Sequence, residues 1–322
     1  MDNLTHSLVG ALLGQAGLKK KTGLAMPALI IGANLPDVDA ACFFWLEGQE
    51  HLGFRRGITH GPPAMVLLPL ILAGLLWGFD RWQTKRGKRP KGRRPVSFKW
   101  LYLLSFIGCL THPALDWLNV YGIRLLEPFS SQWFYGDTLF IIDVWLWALM
   151  GFATWFSLRR EKRATTNDGE WTKPARVAIG VALAYIAMNG AITAWYEVRE
   201  RNSQYSDRTV IASPVPLAFW GRELILGGNG KYGITSYDFG QDDDVVFITL
   251  TGACALEPAI EGAKGNSQAD AFLFWSRAPF AERAEDGSVL LRDARFYDPL
   301  ARDRFALALP DVKCEPIENS SP

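Results

Sequence analysis

Residues 61–82 read GPPAMVLLPLILAGLLWGFDRW, an apolar run long enough to cross a lipid bilayer. A spanning helix needs about 20 mostly apolar residues, because the hydrocarbon core is about 30 Å thick and a helix rises about 1.5 Å per residue. Apolar runs recur in six segments: 4–18, 23–46, 61–82, 100–118, 138–158 and 174–196. The first is short for a span, and the second is interrupted by polar residues. We predict an all-α, multi-pass membrane domain of about six helical segments over residues 1–196.

The rest of the chain, residues 197–322, follows a different pattern. Its short stretches alternate apolar and polar residues and are separated by the turn signals GGNGKYG, GQDDD and EDG. Such alternation between glycine-containing turns is typical of strands and hairpins, so we predict a small β-rich domain. Cys254 and Cys314 both lie in it and form either a disulfide or two buried free thiols.

Charge is spread unevenly along the chain, although the formal net charge is only +1. Residues 1–196 hold 21 Lys and Arg against 13 Asp and Glu, whereas residues 197–322 hold 13 against 20. Sixteen basic residues fall in the loops 19–22, 83–99 and 159–173, which the positive-inside rule assigns to the cytoplasm. The N-terminus and the β-rich domain are then extracytoplasmic. The near-neutral total charge disfavours a dedicated nucleic-acid-binding protein.

Polar and charged residues lie in or beside the apolar segments, where they are costly unless they pair, face a cavity or take part in chemistry. Five blocks contain them: His6; Asp37 and Asp39 in NLPDVD; Arg55, Arg56 and His60 in RRGITH; His112 and Asp116 in THPALD; and Asp137 and Asp143 in GDTLFIID. With the orientation inferred from the basic loops, every block falls on the outer side of the membrane. His112 and Asp116, four residues apart, would face one side of a helix.

Three histidines and several aspartates at one depth form a set of potential metal ligands. Imidazole and carboxylate groups suit zinc and other divalent transition metals. We predict one or two divalent ions, with zinc favoured, and the predicted ligands are His6, Asp37, Asp39, His60, His112 and Asp116. A threonine precedes three of the histidines, and its hydroxyl could hydrogen-bond the neighbouring ring. Histidines that are merely packed and hydrogen-bonded are the alternative interpretation.

Other residues in these blocks are candidates for catalysis or for substrate binding. Asp37, Asp39 and Asp143 are the candidate catalytic carboxylates, one of them as general base. Asp143 starts an apolar segment, so it could instead cap a helix. Arg55 and Arg56 suit contact with an anionic headgroup, carried either by a substrate or by a bilayer lipid.

Five blocks of the sequence, in order, resemble the YdjM-like family of bacterial inner-membrane proteins: MDNLTHSLVGALLG, NLPDVD, RRGITHGP, THPALDWLNVYG and FYGDTLFIIDVW. The resemblance runs through residues 1–196 and includes SPVPLAFWGRELIL in the tail. Proteins of that family are described as membrane-bound metal-dependent hydrolases. The resemblance therefore implies a multi-pass protein of the bacterial inner membrane, with residues 197–322 in the periplasm.

The pattern is more distantly similar to zinc-dependent phospholipase C and P1 nuclease. The order of His, Asp, His and HxxxD in that group falls on His6, Asp37 or Asp39, His60, and His112 with Asp116. A further HxxxE block of that group has no counterpart here, since no histidine follows His112. An N-terminal amine ligand is not apparent either.

These observations predict a metal-dependent hydrolase, phosphoesterase-like or phospholipase-like, which acts on a phosphoester or lipid-linked substrate at the periplasmic side of the membrane. Two alternatives remain open. One is a non-enzymatic membrane scaffold or binding protein whose β-rich domain does the work. The other is a metal-ion transporter in which the histidines and aspartates form a transit site.

Overall fold

The computed structural model describes residues 1–164, 169–201, 209–238, 248–251, 254–298 and 301–317. The chain divides into two compact units. The helical unit consists of Met1–Asp39 and Arg56–Gly190, and the C-terminal unit consists of Ala40–Arg55 and Ala191–Pro322. The sequence did not anticipate that Ala40–Arg55 groups with the C-terminal part of the chain.

Seven α-helices lie before the first strand in the described part of the chain, and residues 118–143 form a non-helical connection between two of them. The helices are α1 (Asn3–Gln15), α2 (Ala25–Asn34), α3 (Glu50–Phe54), α4 (Pro62–Lys85), α5 (Phe98–Trp117), α6 (Val144–Arg163) and α7 (Lys173–Arg201). A 3-10 helix, Leu35–Phe44, follows α2 directly. Each of the six predicted segments overlaps one of the longer helices, whereas α3 lies in a predicted loop. The helical character of the N-terminal region is thus confirmed.

Local sequence explains where several helices begin and end. Asp2 caps α1 by accepting hydrogen bonds from two backbone amides of the first turn, and Asp143 caps α6 in the same way with one. The α2 helix ends just before Pro36, since proline has no amide hydrogen and restricts the residue that precedes it. The chain continues as the 3-10 helix that carries Asp37 and Asp39.

Close packing of α1, α2 and α5 depends on glycines at the helix contacts. A Cβ atom on Gly10 would lie 2.7 Å from the Leu29 carbonyl oxygen, and one on Gly108 would lie 2.6 Å from the same atom. A Cβ atom on Gly32 would lie 2.8 Å from the Ser105 carbonyl oxygen. Small residues of this kind let helix backbones approach closely inside a membrane.

Three helical stretches are long and apolar enough to cross a membrane: Ala25–Phe44, Pro62–Lys85 and Glu170–Arg201. The prediction of about six spans is therefore not supported within the residues that the structure describes. α1 has 13 residues, so it reaches only about 20 Å, which is short of a hydrocarbon core of about 30 Å. α5 and α6 have 20 residues each, but polar and charged side chains along them lower their hydropathy.

The C-terminal unit contains a small β-sheet region, as predicted. β1 (Thr209–Pro214), β2 (Gly221–Gly228), β3 (Lys231–Asp238) and β4 (Ile248–Thr251) form one antiparallel sheet in that order. β5 (Pro279–Arg283), β6 (Ser288–Asp293) and β7 (Ala306–Lys313) form a second antiparallel sheet. Two helices that the sequence analysis did not predict, α8 (Leu256–Gly262) and α9 (Ser267–Trp275), lie between them along the chain.

The predicted turn residues occur at two of the hairpins. Asn229 and Gly230 connect β2 to β3 with φ angles of 51° and 78°, as a two-residue hairpin turn requires. Gly287, at the end of the EDG signal, has a φ of 86° between β5 and β6. The GQDDD signal lies outside the described residues. Cys254 and Cys314 form a disulfide, which settles the choice left open by the sequence.

Candidate metal centre

A buried group of histidine and aspartate side chains lies in the helical unit. Its five members, here called the His/Asp cluster, are His6 on α1, Asp37 on the 3-10 helix, His60 just before α4, and His112 and Asp116 on α5. The side chain of Asp37 is 11% exposed, and those of the other four are at most 1% exposed. Residues from four separate blocks of the sequence are thus brought together at one point.

Close helix packing at two glycines brings the rings of His6 and His112 together. His6 precedes Gly10 by four residues on α1, and His112 follows Gly108 by four residues on α5. Both glycines approach the α2 backbone at Leu29. One helical turn away from these glycines, the two imidazole rings stack, with their centroids 3.8 Å apart and an interplanar angle of 16°.

Asp116 lies at the centre of the cluster. Its Oδ1 is 3.4 Å from His6 Nε2, and its Oδ2 is 3.5 Å from His112 Nε2 and 3.7 Å from His60 Nε2. Asp37 Oδ1 is 3.7 Å from His112 Nε2. These separations exceed those of ordinary hydrogen bonds. They suit ligands of a common ion, since two atoms each about 2.1 Å from a tetrahedral zinc ion lie about 3.4 Å apart.

The potential ligand atoms form two overlapping triplets, His6–Asp37–His112 and His60–His112–Asp116, each within 4.8 Å. Within the described part of the chain, neither ring nitrogen of His6 has a hydrogen-bond partner, and the same holds for His112 Nε2. A buried polar atom left without a partner costs about 1–3 kcal/mol. A divalent ion would satisfy these atoms, so the residues present fit a metal.

Backbone packing orients the His112 ring. His112 Nδ1 lies 2.7 Å from the carbonyl oxygen of Ala33 near the end of α2. A carbonyl can only accept, so Nδ1 carries the proton and Nε2 presents its lone pair to the cluster. Metal-binding histidines commonly donate their second ring nitrogen to a carbonyl or a carboxylate in this way.

Asp39 holds the loop that presents His60. Its Oδ2 accepts a hydrogen bond from the Arg56 amide at 2.8 Å and another from the Thr59 hydroxyl at 3.1 Å. Thr59 Oγ1 is in turn 2.9 Å from His60 Nδ1. The threonine before this histidine thus contacts its ring, as the sequence analysis suggested. These contacts place Asp39 beside the cluster, in a position to orient His60, and its role as a ligand stays a prediction.

Arg56 forms part of the cluster wall. Its Nε lies 3.1 Å from Asp116 Oδ2, in the geometry of an ion pair rather than a hydrogen bond. Its Nη1 donates to Asn119 Oδ1 at 3.1 Å and to the Gly122 carbonyl oxygen at 3.2 Å, and the guanidinium lies 4.5 Å from the centre of the Tyr121 ring. The side chain predicted to bind substrate is therefore buried, and it offsets the charge of Asp116.

Two other predicted residues have different surroundings. Arg55 belongs to the C-terminal unit, where its guanidinium lies 5.6 Å from the centre of the Phe43 ring. Asp143 accepts hydrogen bonds from the Leu146 amide and the Tyr185 hydroxyl, each at 2.9 Å. Asp143 thus has the helix-capping role that the sequence left as an alternative. Its catalytic role and the substrate contact of Arg55 stay predictions.

Sequence reasoning missed the N-terminal amine at the cluster. The α-amino group of Met1 is buried and donates to Asp116 Oδ1, although the sequence analysis found no amine at this site. Sequence order carries no signal for this contact, because it depends on α1 lying beside the end of α5. The partners of Arg56 were also missed, but Asn119 and Tyr121 lie in the block that follows the HxxxD pair.

Comparison with known proteins links the helical region to one family. The family model described as YdjM inner membrane protein matches residues 1–196, which include the whole His/Asp cluster. The Bacillus subtilis (strain 168) protein named "Uncharacterized protein YfhP" is 28% identical over 141 residues, or 41% of this chain. The aligned part covers 39% of that relative's length, about two-fifths. No solved structure matches the chain.

Proposed function

The chain belongs to the YdjM inner membrane protein family, and we propose that it is a metal-dependent hydrolase of phosphoesters. The observation that carries the proposal is the buried His/Asp cluster, in which both ring nitrogens of His6, together with His112 Nε2 and Asp116 Oδ2, have no hydrogen-bond partner among the residues that the structure describes. A packed polar network would satisfy these atoms with one another. Their separations of 3.4–3.7 Å instead leave room for an ion between them.

In this proposal the ligands are His6, His60, His112 and Asp116, which are almost completely buried. Ala33 fixes the proton on His112 Nδ1, so Nε2 is the atom that binds. Zinc is the favoured ion, because the donors are imidazole and carboxylate groups. The triplet His60–His112–Asp116 supports one ion, and a second ion in the triplet His6–Asp37–His112 requires that Asp37 bind it as a ligand instead of acting as the base.

The reaction proposed is the attack of water on a phosphoester, which breaks the ester P–O bond and gives a phosphate product and an alcohol. A divalent ion, when bound, supplies polarisation of the phosphoryl oxygen and lowers the pKa of water. Asp37, the one cluster member with an exposed fraction above 1%, accepts the proton of the attacking water. Arg56 holds Asp116 ionised and in place through its contact with Oδ2. We assign no step to Asp143, because its carboxylate caps α6.

Two observations support an extracytoplasmic site in a multi-pass inner-membrane protein. α2 and α5 both begin beside basic loops and end at the cluster, so the cluster and the basic loops lie at opposite ends of these helices. The positive-inside rule then assigns the cluster to the periplasmic side. The disulfide of the C-terminal unit suits an oxidising compartment, which would put residues 197–322 on that same side.

The substrate class follows from where the cluster lies. Asp37 lies in the second half of Ala25–Phe44, and His60 lies just before Pro62–Lys85, so the cluster is at the outer part of two candidate spans. A phosphoester at this depth belongs to a lipid headgroup or a lipid-linked compound, which could react without leaving the bilayer. We therefore propose a lipid or lipid-linked phosphoester as substrate.

Elemental mass spectrometry on the detergent-purified full chain tests the metal site. The affinity tag belongs at the C-terminus, because the Met1 amine is buried at the cluster. We expect about one or two equivalents of a transition metal in the wild type, and loss of metal in His112→Ala and Asp116→Ala. The matched control is His51→Ala, since His51 lies on α3 in the C-terminal unit.

A metal-loaded wild type would then be screened against phosphoesters in mixed micelles, with the same three variants alongside. Turnover that is lost in His112→Ala and retained in His51→Ala supports the hydrolase. A wild type that stays metal-free after incubation with zinc or manganese would sink the proposal and favour a scaffold. Metal accumulation inside proteoliposomes, without hydrolysis, would favour a transporter.

A further inference from the structure

A second polar feature of the helical unit lies at the other end of its helices. It is a cavity of about 420 Å³ lined by Lys19, Lys20, Arg93, Arg94, Glu161 and Trp171, together with the start of α2, and it is called the basic cavity below. Four cations and one carboxylate line it. The volume falls within the range of sites that hold small ligands.

Hydrogen bonds hold together the chain segments that line the basic cavity, although the Arg94 side chain itself is exposed. Arg94 Nη1 donates to the Lys20 carbonyl oxygen at 3.0 Å, and the Ser97 amide donates to the Thr22 hydroxyl at 2.8 Å. The Gly23 amide donates to the carbonyl oxygen of Pro95 at 3.0 Å. These bonds join the segment after α1 to the segment before α5, so the cavity is formed before any ligand arrives.

The cations of the basic cavity differ in how far they are already neutralised. Lys19 pairs with Glu161, and Arg93 Nη1 is 2.8 Å from Asp80 Oδ1. Lys20 and Arg94 make no ion pair with a carboxylate in the described part of the chain. These two side chains therefore supply the positive charge that is left for a ligand.

An aromatic ring completes the site. Trp171 is 4% exposed, and the ammonium groups of Lys19 and Lys20 lie 4.5 Å and 4.9 Å from the centre of its ring. Cation–π contact of this kind holds lysine side chains in place. Lys20 also lines a second, neighbouring cavity of about 520 Å³ together with Lys21, Arg176 and Lys173, the last of which pairs with Glu170. Positive charge thus extends on both sides of Lys20.

Two of the candidate spans begin at the basic cavity, and the loop after the third supplies two of its arginines. Ala25, which begins one span, lines it, and so does Trp171, near the start of another. Arg93 and Arg94 follow the end of Pro62–Lys85 after a short loop. This is the depth of the phospholipid headgroups, where anionic lipids attract clustered Lys and Arg.

We propose that the basic cavity binds a phosphate group, carried either by an anionic phospholipid headgroup or by a free phosphate compound. Lys20 and Arg94 contact its oxygens, and residues at the start of α2, the positive end of that helix, line the cavity beside them. This inference is independent of the proposed hydrolase, because the His/Asp cluster lies at the opposite ends of α2 and α5.

Native mass spectrometry of the full chain, titrated with phosphatidylglycerol or phosphatidylcholine, tests the proposal. We expect the wild type to bind phosphatidylglycerol more tightly than phosphatidylcholine. The double variant Lys20→Gln/Arg94→Gln loses about tenfold or more of the phosphatidylglycerol affinity, because two charge-assisted hydrogen bonds are removed. The matched control is Lys88→Gln/Lys91→Gln, which removes two exposed charges that lie outside the cavity, in the basic loop 83–99 that contains Arg94.

Further measurements distinguish the possible sources of phosphate and control for misfolding. Lys20→Arg keeps the charge and should bind like the wild type, and the melting temperature of each variant reports its folding. If millimolar inorganic phosphate displaces the lipid and binds without it, the source is a free phosphate compound. Equal losses in the two double variants would show diffuse surface attraction and overturn the proposal. Unchanged binding in Lys20→Gln/Arg94→Gln would overturn it as well.

Discussion

His112 Nδ1 donates to the carbonyl oxygen of Ala33 across 2.7 Å, so the backbone of α2 sets the direction in which the other ring nitrogen, Nε2, points. This bond depends on how closely the two helices approach. Gly108, one turn before His112, lies against the same part of α2 and allows that approach. Gly108 therefore couples helix packing to the geometry of the His/Asp cluster.

The first prediction concerns Gly108→Ala. The added Cβ would lie 2.6 Å from the Leu29 carbonyl oxygen and 3.1 Å from the Ala33 amide nitrogen, so α2 and α5 must separate. We expect a loss of about 1–3 kcal/mol of stability, as for other overpacked cores. Because Ala33 moves, the metal affinity should also fall. The melting temperature and a zinc titration in detergent measure the two effects.

Gly74→Ala is the matched control for that prediction. Gly74 lies on α4 and has open space where a Cβ would be added, so its replacement should not lower stability and should leave metal binding unchanged. If Gly108→Ala behaved like Gly74→Ala, the close approach of α2 and α5 would not matter for the cluster.

Much of this arrangement can be read from the sequence, because it depends on local signals. The HxxxD spacing predicts that His112 and Asp116 share one face of a helix, and their side chains lie 3.5 Å apart. Pro36 lies just beyond the end of α2, and Asp2 caps the start of α1, so both helix ends depend on local residues. Each of these inferences needs only a few neighbouring residues.

The unpredicted features depend on distances between separate parts of the chain. Sequence alone cannot tell that Asp39 hydrogen-bonds the loop of His60 while Asp37 faces His112, because the two carboxylates are only two residues apart. It also gives no reason for Arg56 to be buried against Asp116 rather than exposed to a substrate. Not all of the six predicted spans are supported among the described residues; α5, for example, combines an apolar composition with the polar residues of the site.

The second prediction separates Asp37 from Asp39. Asp37→Asn keeps the shape of the side chain but cannot accept the proton of water, so the variant should bind metal and lose turnover by about 10²-fold or more. The metal content and the phosphoesterase rate of the same preparation measure this. A variant that loses its metal together with its activity would make Asp37 a ligand instead of a base.

The third prediction is that Asp39 acts by positioning His60. In Asp39→Asn the Thr59 and Arg56 contacts weaken, and we expect metal affinity to fall by about 10–100-fold while saturating zinc restores full occupancy. Asp116→Asn is the comparison, since loss of a ligand should not be rescued by excess zinc. Failure of saturating zinc to fill Asp39→Asn would show that Asp39 binds the ion directly.

The fourth prediction concerns the disulfide between Cys254 and Cys314. It closes a loop with a sequence separation of 60, for which the chain-entropy relation gives about 4 kcal/mol of stabilisation. Alkylation of the denatured, unreduced chain should label only Cys42 and Cys109, the two cysteines outside the disulfide. Intact mass spectrometry should then find two adducts before reduction and all four cysteines labelled afterwards. Four adducts without reductant would contradict both the disulfide and the oxidising location proposed from it.

The last prediction uses a buried ion pair in the C-terminal unit. Asp293 accepts hydrogen bonds from Arg295 Nε and Nη2, each at 2.8 Å, and from the Arg277 amide at 3.0 Å. Burial acts to raise the pKa of Asp293, but the Arg295 charge and these hydrogen bonds hold it below the usual value of 3.8. The unfolded chain therefore takes up the proton at a higher pH than the folded one.

It follows that the Asp293 carboxylate stabilises the fold above about pH 4 and that this contribution is lost as the pH falls toward its lowered pKa. Asp293→Asn should cost about 3–5 kcal/mol at pH 7, because Arg295 is left buried without its partner. The cost should shrink as the pH falls below about 4, where the wild type also loses the charge. Hydrogen-exchange protection of residues 272–296 in the full chain, corrected for intrinsic exchange rates, measures both effects. Asp311→Asn, an exposed change on β7, should alter neither, and a pH-independent cost of Asp293→Asn would refute the proposed linkage.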